Sequence, residues 1–113
     1  MWMAVGERRF AITLADTAAA RAFAVRLPLT LDMAELNGNE KHADLTRVLP
    51  ADAIAPGTIH NGDLMLYGSD TVVVFYKTFR SSNSYTCLGR VDDPSELAQA
   101  LGRRGVRVKF SND

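Results

Sequence analysis

Glu40, His42 and Asp44 stand at alternate positions in the segment NEKHAD. On an extended strand, residues two apart share a face, so these three side chains could converge on a divalent cation through carboxylate oxygens and an imidazole nitrogen. The chain has two histidines, His42 and His60, with neither HxH nor HExxH spacing. The segment is therefore read as a solvated loop, and no metal is expected. Cys87 is the one cysteine. It would act as a nucleophile only with His42 or His60 beside it, and within a strand-like run it reads as a small buried hydrophobe. Ser81, Ser82 and Ser84 lack a glycine-flanked elbow, and no Gly-rich phosphate loop is present. No catalytic residue and no cofactor is assigned.

Tyr76, Phe79, Arg80 and Tyr85 border the polar segment SSNS at 81–84, where strand ends should meet solvent. An arginine beside aromatic rings can grip an amide or carboxylate while the rings shelter it. The competing reading has the aromatics sealing one end of the fold and Arg80 reaching outward. With Glu40 from the 37–47 loop, these four are the candidate binding residues.

The elements that must position them follow from periodicity. MWMAV and Arg9–Asp16 read as a hairpin, with Phe10, Ile12 and Leu14 on one side and Gly6-Glu7 as the turn. TAAARAFAVRL carries Ala19, Phe23 and Leu27 at four-residue spacing, which predicts a short helix capped by Asp16 and stopped by Pro28. Leu27, Leu29, Leu31 and Met33 alternate as a strand. Residues 34–62 contain three turn dipeptides and read as loops, with one strand or helical turn near Leu45–Leu49. DLMLY and TVVVFYKTF flank Gly68-Ser69-Asp70 as a hairpin. Because VVVFY has no polar residue, both of its faces should be covered. YTCLGRVDD is a further strand. Asp93, Pro94 and Glu96 have the spacing of a capped helix start, with Leu97 and Leu101 facing inward and Gly102 or Gly105 at its end. VRVKF closes the chain as a strand.

These 113 residues are 47% hydrophobic and 23% charged, as in one ordinary folded domain. Thirteen basic residues cancel thirteen acidic ones, so no long-range field gathers nucleic acid or an anionic membrane. The opening MWMAVGERRF is too short and polar for a signal peptide, and the single cysteine gives no case for an oxidising compartment, so a cytoplasmic protein without a membrane span is expected. About seven strands and two short helices, without regular strand–helix alternation, predict a mostly antiparallel sheet closed into a small barrel and capped by the helices. A split α+β sheet is the competing architecture.

The order ARAFAVRLPLTLDM, NEKHADL, GDLMLYG, VVFYK, LGRVDD resembles the small bacterial cyclophilin-like barrel proteins over nearly the whole chain, most specifically in its last three segments. The resemblance implies an eight-stranded barrel closed by two helices. It does not carry the isomerase site, since neither the phenylalanine-histidine-arginine-valine signature nor the glutamine-glycine-glycine-aspartate segment of cyclophilins occurs here. The expected function is non-catalytic binding of a small molecule or extended peptide in a groove near 76–85 and 37–47. The alternatives are a divergent prolyl isomerase using Arg80, Arg90 or Arg47, and a subunit that assembles with itself or with a larger enzyme.

Overall fold

A computed structural model describes all 113 residues. Its strands are β1 (Trp2–Val5), β2 (Arg8–Leu14), β3 (Leu29–Leu36), β4 (Glu40–Asp44), β5 (Thr58–Ile59), β6 (Asp63–Tyr67), β7 (Thr71–Phe75), β8 (Phe79–Arg80), β9 (Thr86–Val91) and β10 (Val106–Ser111). Two helices, α1 (Ala18–Val25) and α2 (Leu97–Leu101), complete it. Eight strands close into an antiparallel barrel in the order β1-β10-β3-β4-β7-β6-β9-β2, and β5 pairs with β8 in a separate two-stranded ribbon. The closed barrel is thus the architecture, and the split sheet is excluded. No helix is long and apolar enough to cross a membrane.

The barrel fills with the inward half of each alternating strand. Met3, Phe10, Met33, Leu66, Val74, Leu88, Val108 and Phe110 all belong to one interior cluster. Phe23 of α1 enters it and meets the Phe110 ring edge-on, with centroids 5.4 Å apart. Leu97 and Leu101 of α2 are buried in the same cluster. The run VVVFY is covered on both faces, as its composition requires. Val72, Val74 and Tyr76 join the interior, while Val73 and Phe75 join a second cluster outside the barrel with Ile59, Met65 and Tyr85, against which Phe79 packs. The β5–β8 ribbon is therefore a cover over the outer face of β7.

Several local expectations are corrected. The α1 cap is Thr17 rather than Asp16: its Oγ1 accepts from the Ala20 amide at 3.0 Å and donates to the Cys87 carbonyl at 2.8 Å, tying helix to barrel. Asp16 instead pairs with Arg21. The segment read as a loop, Glu40–Asp44, is a barrel strand, whereas Leu45 and Leu49 are buried anchors of an irregular stretch. Asp93 accepts from the Ser95 amide, but regular helix begins only at Leu97, and the Glu96 carboxylate pairs with Arg8 across the chain. Gly102, at φ 72°, ends α2.

Candidate functional site

Strand β4 sorts its side chains by parity. Lys41 and Ala43 point inward, while Glu40, His42 and Asp44 lie opposite Phe75, Val73 and Thr71 of β7 on the outer face. The next strand continues these rows, with Val73 opposite Met65 and Thr71 opposite Tyr67. Tyr85 folds over the same surface from the segment before β9. A groove of about 410 Å³ results, with Val73 as its floor, Tyr67 and Tyr85 on one side, and Glu40, His42 and Asp44 on the other. The tyrosine rings lie 5.7 Å apart and tilted by 54°, and Tyr85 also meets Phe75 edge-on at 5.4 Å. Tyr85 is buried by this packing, whereas Tyr67 remains half exposed.

The groove's charge is one-sided. It is lined by two carboxylates and by no lysine or arginine. Asp44 accepts a 2.7 Å hydrogen bond from the Thr71 hydroxyl. Burial, followed in weight by His42 pulling the other way and Glu35 adding to it, pushes the Glu40 carboxyl above its ordinary 4.5. No three His, Cys, Asp or Glu side chains in the molecule come together in a cluster suited to a metal ion, so the shared face of Glu40, His42 and Asp44 does not amount to a metal centre.

The aromatic set read from the sequence is divided. Tyr85 lines the groove with Glu40. Phe79 packs on Phe75 at 5.7 Å beneath the ribbon, and Arg80, on β8, is exposed and outside the groove lining. Tyr76 leaves the set altogether. Its hydroxyl donates to Glu35 at 2.5 Å, and its ring lies 5.4 Å from the Lys41 ammonium at the end of the barrel. Burial first, then the hydrogen bond to Glu35 and the charges of Glu35 and Glu40, push this phenol up to about 12. Strict alternation carried the signal, because Val72, Val74 and Tyr76 share a parity. The groove residues that sequence reasoning missed include Tyr67, Thr71 and Val73, which only the β4–β7–β6 order brings to Glu40.

The pattern that defines the Cyclophilin-like family matches residues 3–111, which takes in all but the ends of the chain and every barrel strand from Met3 onward. The chain belongs to the cyclophilin-like family. The other comparisons found no curated protein and no solved structure that matches it. Within this cyclophilin-like domain the arginines weighed for a prolyl site lie away from the aromatic groove: Arg90 pairs with Asp63 and Arg47 is held through its carbonyl by Arg26.

Cys87 and His60 do share a second groove of the domain, beside Asp63. Burial foremost, and then the Asp63 charge, push the Cys87 thiol above its ordinary 9.0 despite the opposing pull of Arg90 and a backbone hydrogen bond from Gly89. A thiol so held is protonated near neutral pH and reacts slowly. Iodoacetamide should label Cys87 more slowly than a free cysteine at pH 7.5, with the rate still climbing above pH 9. Labelling at neutral pH as fast as that of a free cysteine would restore it as a candidate nucleophile.

Proposed function

We propose that this cyclophilin-like domain is a non-catalytic binding module, and that the groove over β4 and β7 takes a ligand with a positively charged nitrogen on an apolar body. A small amine or an extended peptide containing lysine or arginine has that chemistry. The observation carrying the reading is the lining itself: two carboxylates face two packed tyrosines, with no lysine or arginine among the lining residues. Carboxylates attract the cation, and tyrosine faces favour both its charge and its apolar stem. A prolyl isomerase needs an arginine against the twisted amide, and none lines this groove, which favours binding over catalysis.

Titration of the ¹⁵N-labelled domain with acetyl-Ala-Lys-Ala-amide should shift amides of β4, β7 and Tyr85, whereas acetyl-Ala-Glu-Ala-amide should not. Glu40→Gln should weaken the lysine peptide about tenfold, the scale of one charge-assisted contact. Since the Glu40 carboxyl of the free domain titrates above 4.5, a cation that favours the carboxylate binds fully above that raised value and progressively less as pH falls through it. Equal shifts from the two peptides would sink this reading. Accelerated cis–trans exchange of a proline peptide, followed by NMR, would replace it with the isomerase.

A further inference from the structure

A second cavity, of about 650 Å³, opens on another part of the barrel wall, over β2, β9 and β6, and shares no lining residue with the aromatic groove. Its floor is built on rigid strands by Met65 and Cys87, and Ile54 and Pro56 wall it from the segment before β5. Apolar contact area is thus available on two sides.

The polar end is organised by Asp63, a side chain 5% exposed. One carboxylate oxygen accepts from the His60 amide at 2.8 Å, and the other accepts from Arg90 Nε at 3.3 Å. Arg90 is opposite Asp63 on one side and opposite Thr13 on the other, at the centre of the three-strand face. Its side chain is 64% exposed, and Nε is its one hydrogen-bonded nitrogen, so the terminal fork of the guanidinium is held in place and open to a carboxylate. Two residues further on, Asp92 lines the same cavity. One of its oxygens accepts from the Thr13 hydroxyl at 2.6 Å, which fixes the carboxylate and leaves the second oxygen open. With Asp63 already paired to Arg90, the cavity offers one cationic fork and one acceptor, on residues two apart in the chain.

We infer that this cavity binds a small ligand that is zwitterionic at one end and apolar at the other, with an apolar α-amino acid as its simplest form. The ligand carboxylate meets the Arg90 fork, the ammonium meets Asp92, and the side chain lies against Met65, Cys87 and Ile54. A plain carboxylate leaves Asp92 without a counter-ion and sits in a cavity already carrying two acidic groups against one arginine. A plain amine leaves the Arg90 fork empty. Only the paired charges satisfy both groups.

L-leucine, N-acetyl-leucine and leucinamide separate these cases, each titrated into the ¹⁵N-labelled domain. Leucine should give saturable shifts at Leu14, Met65, Cys87 and Arg90, with a dissociation constant on the order of a millimolar, as so few atoms allow. N-acetyl-leucine, without the ammonium, and leucinamide, without the carboxylate, should each bind at least about tenfold more weakly. Arg90→Gln should lose leucine to a similar degree. Asp92→Asn keeps the acceptor for Thr13 and serves as the second variant, with the same loss expected in an undisturbed fold. The inference is overturned if leucine gives no saturable shift, if either derivative binds as well as leucine, or if Asp92→Asn binds leucine unchanged.

Discussion

Replacing Lys41 with methionine should cost this domain about 3–5 kcal/mol, the penalty for removing one partner of a buried charge pair, and a large share of what holds a domain of this size together. Lys41 is 0% exposed. Its ammonium uses all three protons, donating to Glu35 at 2.9 Å and to the carbonyls of Gly102 and Arg104 at 2.8 and 2.6 Å. Those carbonyls belong to the turn leaving α2, so the lysine clamps the end of that helix to the barrel wall. Methionine fills much of the same space but leaves two carbonyls without this donor and the carboxylate, still bonded by Tyr76 and Gly38, without its counter-charge. Urea midpoints of wild type, Lys41→Met, Glu35→Gln and the double variant give the coupling directly. A loss below about 1 kcal/mol for Lys41→Met would mean that water replaces the ammonium and that the clamp is dispensable.

The same network sets a pH range. Burial pushes the Glu35 carboxyl up, but hydrogen bonds from Tyr76, Lys41 and Gly38 and the lysine charge together hold it below 4.5. A carboxyl depressed in the folded state stabilises it above 4.5, and that contribution drains as pH falls through the lower folded value. Tyr76 has the opposite sign. Its folded value of about 12 lies above the ordinary 10.0, so its contribution is complete below 10 and is lost as pH rises from there towards 12. Stability from this cluster should be flat between those limits.

Gly89→Ala is the second large effect expected, at about 3 kcal/mol. A Cβ on Gly89 would stand 2.6 Å from the Thr13 carbonyl oxygen and 3.3 Å from the Leu14 Cα. Both are backbone atoms of β2, so no rotamer relieves the clash, and β2 must part from β9. The requirement is space, for Gly89 sits where the register between β6 and β9 shifts, Leu64 facing Gly89 while Met65 faces Cys87. Gly68→Ala makes the contrast. Gly68 has φ 62° with nothing within 4 Å of the added atom, so only conformational strain of about 1 kcal/mol is expected. Equal losses in the two variants, measured by denaturant, would contradict the steric account.

The two hairpins were legible because each joins alternating or fully apolar runs through a short turn with a glycine at positive φ, Gly6 at 58° and Gly68 at 62°. Strand β4 was not, and Lys41 is the reason. Its inward position carries a charged residue where a strand pattern asks for an apolar one, so the alternation in EKHAD disappears unless the buried partners are known. The helix caps erred locally, since Asp16 and Thr17 are adjacent candidates and only the Cys87 carbonyl, 70 residues on, selects Thr17. The candidate groove depends on longer-range information. Glu40, Tyr67 and Tyr85 are far apart in sequence and meet only through the order of β4, β7 and β6, which no local period encodes.

The strand order also bears on how the chain is made. Of the eight barrel strands, β1 and β2 come first along the chain, yet their two outer edges are matched by β10 and β9, the last two. On the ribosome this hairpin waits with both flanks bare while about eighty further residues emerge, and such flanks template pairing with other nascent chains. The earliest-made staves of the barrel thus find their outer neighbours only in the latest-made ones.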